Sequence, residues 1–379
     1  MIVWEWINPM IEFLGNEYLG AESMFDEIKA EHKNSKYKIV VIDWWQFAPW
    51  WHYEKDGVSG DVFGGSNTLE IIKKVKEYDI CFFMISEYWF QPRWNISSEA
   101  INAMIEELDK LNVFYISLSE DSLIHINESK NYETPWFIPN GSSIHVDDTF
   151  KLDFDYRPKD FTFNMLLGSE RPHRTLFFEL VGNEPYVYST YFGHKKFRPK
   201  SSRHLEDDDI LNNLSNQDIS SSKLQTMSET VWRTWRNASI SHIIPEKIYN
   251  NSHFDIVMES QPLLNTLNFT TEKTGKPLST GRFFIWYDSP HKVEYLRQFG
   301  FELQDYLCYY DSIEDNVSRL ASVMELIKDI GDNENYIKRI YEETKDARMH
   351  NQEVFKKLSR TYQSNISSWM IGIIGDKHG

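Results

Sequence analysis

The stretch DICFFMISEYWFQPRWNISSEAINAMIEELDKLNVFYISL, residues 79–118, reads as strand, helix, strand. Its two ends, 79–87 and 113–118, are apolar runs rich in β-branched and aromatic side chains, as in strands buried on both faces. Between them SSEAINAMIEEL has helical periodicity, and Ser97 or Ser98 can cap its first amides. Two buried strands joined through a helix predict a parallel pair, because a tight turn cannot return a strand in the same direction. Upstream, KIVVIDWW at 38–45 is a further buried strand. NTLEIIKKVKEY at 67–78 places Leu69, Ile72 and Val75 on one helical face.

Downstream, 127–160 has little regular pattern and holds the turn formers Pro135, Pro139, Asn140-Gly141 and Pro158. The interdomain connection is placed there. A second α/β series follows. Strands are expected at 161–167, 185–192, 254–259 and 283–287, and helices at 173–182, from Glu272 to about Ser279, and through HKVEYLRQFG, where Gly300 ends the helix. Amphipathic helices are expected at 313–330 and 333–358, with a separate helical tail at 360–373. The Ser-, Asn- and Asp-rich stretch 193–228 reads as a surface loop. The expected division is an N-terminal α/β domain over 1–150, a second over 160–358, and a C-terminal helix over 359–379 that packs back on the first.

Bulk composition fits this plan. A chain of 379 residues suits two domains of roughly 100–200 residues each. The formal net charge of −17 argues against a protein that grips phosphate backbones, which needs a basic surface. Cys81 and Cys308 lie far apart in apolar runs and read as buried thiols, with neither zinc spacing nor a disulfide framework. The opening MIVWEWINPM lacks the basic and apolar regions of a signal peptide, and no run is long and apolar enough to span a bilayer. A cytoplasmic protein is the expectation.

The chemistry concentrates in NFTTEKTGKPLSTGRFFIWY, residues 268–287. Thr270 or Thr271 can cap a helix whose first turn contains Glu272 and Lys273. A lysine is disfavoured at a helix N-terminus unless an anion sits nearby. The exposed amides and the lysine together suit a phosphate, and Glu272 suits ribose hydroxyls. By spacing alone the pair reads first as an ordinary exposed Glu-Lys on a surface helix.

This run, followed by a strand ending in Tyr287-Asp288-Ser289-Pro290 and then HKVEYLRQFGF, resembles the nucleotide-sugar segment of the family 10 fucosyltransferases and their relatives. FTFNMLLGSERPHRTLFFEL at 161–180 is similar to the opening of that family's donor domain, with Arg174 at the position of its arginine. The resemblance covers roughly 161–300. It implies an α/β, GT-B-like architecture: two Rossmann-like parallel-sheet domains facing a cleft, the first binding the acceptor and the second the donor. It implies inverting transfer from a nucleotide diphosphate sugar, GDP-linked in preference to UDP-linked, to a glycan or other hydroxyl acceptor. Glu272 and Lys273 carry over as donor contacts, Phe269 as an aromatic near the base, and Arg174 as counter-charge to the diphosphate, with Arg171 and His173 as helpers. With Lys273 and Arg174 in that role, no metal and no separate cofactor are expected. The Gly275-Lys276-Pro277 run departs from the fucosyltransferases proper and leaves the sugar open.

Glu259, at the end of FDIVMES, reaches the same region by the strand-end rule, either as a sugar-hydroxyl contact or as a polar strand terminus. An inverting transfer needs a general base. Glu87 in MISEYWF is the first candidate and Asp43 in VVIDWWQ the second, each following a buried strand and preceding aromatics. IDWWQFAPWWHY at 42–53 is read either as an acceptor-stacking loop or as a packed interface. The glycines of DGVSGDVFGG lack a dinucleotide fingerprint, the acidic run 206–209 reads as solvated charge, and no histidine spacing or nucleophile elbow supports a hydrolase. Two rivals remain at this level: glycosylation of modified DNA bases, which the net charge opposes, and a non-catalytic nucleotide-sugar or glycan-binding protein of the same fold.

Overall fold

The computed structural model describes residues 5–6, 39–43, 75–85, 98–117, 120–121, 125–133, 154–167, 171–191, 246–259, 267–268 and 270–376. The chain divides into two compact units. The first comprises 1–143, 266–270 and 358–379; the second comprises 144–265 and 271–357.

The first unit carries β1 (Glu5–Trp6), β2 (Ile39–Asp43), β3 (Ile80–Ile85), α1 (Ser98–Asp109), β4 (Val113–Ser117), β5 (Glu120–Asp121) and β6 (Asn131–Glu133). Strands β1, β2, β3, β4 and β6 form one sheet in that order, every pair parallel. Phe82, Phe83, Tyr115 and Ile116 are fully buried, as continuous apolar strands in a covered parallel sheet must be.

The second unit contains β7 (Phe161–Leu167), α2 (Pro172–Val181), β8 (Val187–Tyr191), α3 (Glu246–Asn251) and β9 (Ser252–Met258). After β10 (Leu267–Asn268), which pairs antiparallel with β5, come α4 (Glu272–Thr280), β11 (Phe284–Tyr287), α5 (Lys292–Gln298) and α6 (Asn316–Ile330). The last helix, α7 (Glu334–Asp376), begins in this unit and ends among residues of the first. The sheet order is β8-β7-β9-β11, all parallel. Strand order reverses between β7 and β9, the topological switch point of a doubly wound sheet.

The structure departs from the sequence reading in a few elements. Helices expected at 333–358 and 360–373 are one helix of 43 residues, because nothing at 359 interrupts the backbone ladder: Ser359 is neither glycine nor proline. Trp369 on its last turns sits 5.8 Å from Phe82 and 5.6 Å from Tyr132, ring centre to ring centre. The three-residue β6 falls in a stretch read as irregular and α3 in one given no element, since both are too short for a periodic signal. Most of the helix expected at 67–78 lies outside the described residues.

At the starting edge of the second sheet lies a buried polar cluster. The Arg282 guanidinium pairs with Asp255, and Asn164 Nδ2 donates to Asp255 at 2.7 Å. Arg282 also donates to the carbonyls of Tyr249 (2.8 Å) and Ser252 (3.1 Å) and stacks over Tyr249. Every polar atom named here has a partner, so the cluster fastens α3, β7, β9 and β11 together. Ligands of such sheets bind at the opposite edge.

Candidate functional site

At the carboxyl ends of β7, β9 and β11 the chain assembles four charged positions: Arg174, Glu259, Lys273 and Asp288. The β9 strand ends at Met258, and Glu259 follows as a fully buried residue. Its backbone carbonyl accepts from His173 Nε2 at 3.1 Å, while Arg174 Nη2 reaches Met258 O at 3.3 Å and Glu259 O at 3.5 Å. Its carboxylate accepts from Thr271 N (3.0 Å), Thr271 Oγ1 (2.6 Å) and Thr274 Oγ1 (2.7 Å). Glu259 thus stands just past the strand end, and its carboxylate already takes three donors from the chain itself. It ties the start of α4 to the end of β9.

Helix α4 begins as the sequence predicts. Thr271 is its N-cap, accepting from Lys273 N at 3.3 Å, and Gly281 ends it in the left-handed conformation, φ 65°. Lys273 Nζ donates to Glu272 at 2.7 Å and to Thr271 Oγ1 at 3.1 Å. Both side chains of this pair are partly accessible, 22% for Lys273 and 14% for Glu272. One turn on, Lys276 is buried, and burial lowers its pKa to about 8 against the raising influence of Glu272.

Helix α2 begins differently. Arg171 is its N-cap with no side-chain cap bond, Pro172 is its first residue, and its first turn carries no acid. Arg171 is half-buried and Arg174 is 2% exposed. Burial, then the Arg174 charge, lowers the His173 pKa to about 3. His173 is thus neutral, and its Nε2–H is the donor to Glu259 O. The two helix starts flanking the switch point are therefore unlike. The α4 start has its own buried carboxylate, while the first turn of α2 carries cations and no acid.

Beyond β11, Asp288 is buried against Lys292, Nζ to Oδ2 3.2 Å, and accepts from Ser289 N at 2.8 Å. Burial raises the Asp288 pKa to about 6; Lys292 opposes this and Glu259 adds to it. Arg319 braces the same turn, donating to Asp288 O at 3.0 Å and to Ile313 O at 2.6 Å. Asp311 accepts from the amides of Lys292 and Val293, which starts α5. Sequence reading missed the Asp288–Lys292 pair, whose only signal was i,i+4 spacing just after a strand.

Thus Arg174 and Glu259 meet, as do Glu272 and Lys273, and Glu259 joins the two groups through Thr271. Asp43 is the last residue of β2, opposite Met84 in the first unit's sheet. Glu87, Phe269, the aromatic run after Asp43, the glycines at 57–65 and the acidic run 206–209 lie outside the described residues. Among the described residues no group of three or more His, Cys, Asp or Glu side chains is placed to hold a metal ion. Nor is any described helix long and apolar enough to cross a membrane.

No protein-family model matches the chain, and no curated protein matches it. Among solved structures, the T4 phage BGT D100A mutant in complex with UDP-glucose is similar over 99% of this chain and 97% of its own. The two are 10% identical with a TM-score of 0.38. No residue role is carried over from that likeness.

Proposed function

We propose that the chain is a nucleotide-sugar-dependent glycosyltransferase of the GT-B class, with its donor site in the second unit. The observation that carries this reading is the contrast at the switch point. The start of α2, after β7, bears Arg171 and Arg174 with no acid in its first turn, and a capped, acidic start bearing Glu272 and Lys273 follows β9. The first suits a diphosphate; the second suits ribose hydroxyls, with Lys273 beside them. The resemblance of 161–180 and 268–287 to family 10 fucosyltransferases points to the same ligand.

In the proposed reaction the acceptor hydroxyl attacks the anomeric carbon as the bond to the nucleotide diphosphate breaks. A carboxylate of the first unit, Glu87 or Asp43, takes the hydroxyl proton. Arg174, with Arg171 as helper, meets the charge developing on the leaving diphosphate, and Lys273 completes the counter-charge. Inversion, a GDP-linked donor and independence from a divalent ion belong to this proposal. Titration calorimetry tests the diphosphate site: GDP or UDP should bind at least tenfold more tightly than the corresponding nucleoside, the value of about one charged hydrogen bond. Equal affinity for diphosphate and nucleoside would contradict it.

A further inference from the structure

We infer that Glu259 is a positioning residue that aims Lys273 through the Thr271 hydroxyl. The inference rests on the donor-site reading above. Three donors converge on the buried carboxylate, and a carboxylate can only accept. Thr271 Oγ1 must therefore spend its one proton on Glu259 Oε2, at 2.6 Å. Its lone pairs are left for Lys273, whose Nζ and backbone N lie 3.1 and 3.3 Å away. The direction of every proton in the chain Lys273 to Thr271 to Glu259 is fixed by the charge at its end. The same residue's carbonyl takes His173 and Arg174 from α2. One position thus sets the start of both helices that flank the switch point.

A glutamine at this position keeps the shape and reverses part of the polarity. Its amide donates where only acceptors fit, and it competes with Lys273 for Thr271 Oγ1. Glu259→Gln should weaken GDP or UDP binding by about tenfold, with Lys273→Ala costing no further affinity in that background. Additive losses from the two substitutions would overturn the inference, since a merely structural glutamate would leave Lys273 its full effect. Thr271→Val removes the same hydroxyl while leaving Glu259 intact, and should show the same non-additivity if Glu259→Gln does not fold. Hydrogen exchange gives a readout independent of any ligand. In Glu259→Gln, or in a folded Glu259→Asp, the Thr271 amide should exchange about tenfold faster or more while the amides of α6 keep their protection. Unchanged exchange at Thr271, or an equal rise throughout the unit, would overturn the positioning role. Should the wild type bind no nucleotide while the Thr271 amide responds as stated, the donor-site reading alone fails.

Discussion

At the scale of single residues, Lys273 separates a ligand contact from an ordinary surface pair. It is partly accessible and already satisfied by Glu272 and Thr271, so its removal leaves little buried charge behind. Lys273→Ala should leave thermal stability nearly unchanged and weaken nucleotide diphosphate binding by about 1.5–3 kcal/mol. Calorimetry checks the second; wild-type affinity would remove Lys273 from the site. His253 governs a different property. It is stacked on Tyr156, edge-on to Tyr341, and burial, with Lys159 and Arg282 nearby, lowers its pKa from 6.5 to about 3. The unfolded chain takes up a proton near pH 6.5 that the folded chain refuses until about pH 3. Stability is therefore lost as pH falls through that window, by up to about 1.4 kcal/mol per pH unit for this group. His173 acts in the same direction, and Asp288, raised from 3.8 to about 6, in the opposite one. His253→Phe should flatten the acid limb of a melting-temperature profile, and an unaltered slope would contradict this account. Residue types were legible in sequence at Glu272, Lys273 and Arg174. The role of Glu259 was not, because no spacing rule brings together side chains twelve positions apart whose chain passes through β10 between them.

At the scale of elements, the second sheet is fastened where its strands begin. Asp255→Ala would leave the Arg282 guanidinium buried without its carboxylate, at a cost of about 3–5 kcal/mol. Denaturant unfolding should show this as a large drop in midpoint; a loss below about 1 kcal/mol would mean that water replaces the pair. The end of α4 is equally constrained. Gly281 has φ 65°, and a β-carbon there would lie 2.6 Å from the Phe154 ring. Gly281→Ala should cost about 1–3 kcal/mol in the same assay. The longer elements were legible because period and composition agree: β7 occupies the residues expected, and α4 starts at Glu272 and runs to Thr280. What escaped was short or continuous. Strand β10 has two residues and takes its place from pairing with β5. The break expected near 359 vanished because the polar residues there are all tolerated within a helix.

At the scale of the whole molecule, a net charge of −17 opposes a long polyanionic ligand. The site proposed at Arg171, Arg174 and Lys273 takes one small anion, which is compatible with that charge. The parallel sheets of both units were legible in sequence, since buried strands alternating with helices allow few other topologies. Thermal unfolding with GDP, UDP, ADP or CDP, with and without EDTA, tests the nucleotide diphosphate site proposed in the second unit. A ligand at a hundred times its dissociation constant adds about 2.7 kcal/mol. GDP should raise the melting temperature more than the others, by an amount unaffected by EDTA and diminished in Lys273→Ala. No shift with any of the four nucleotides would contradict it.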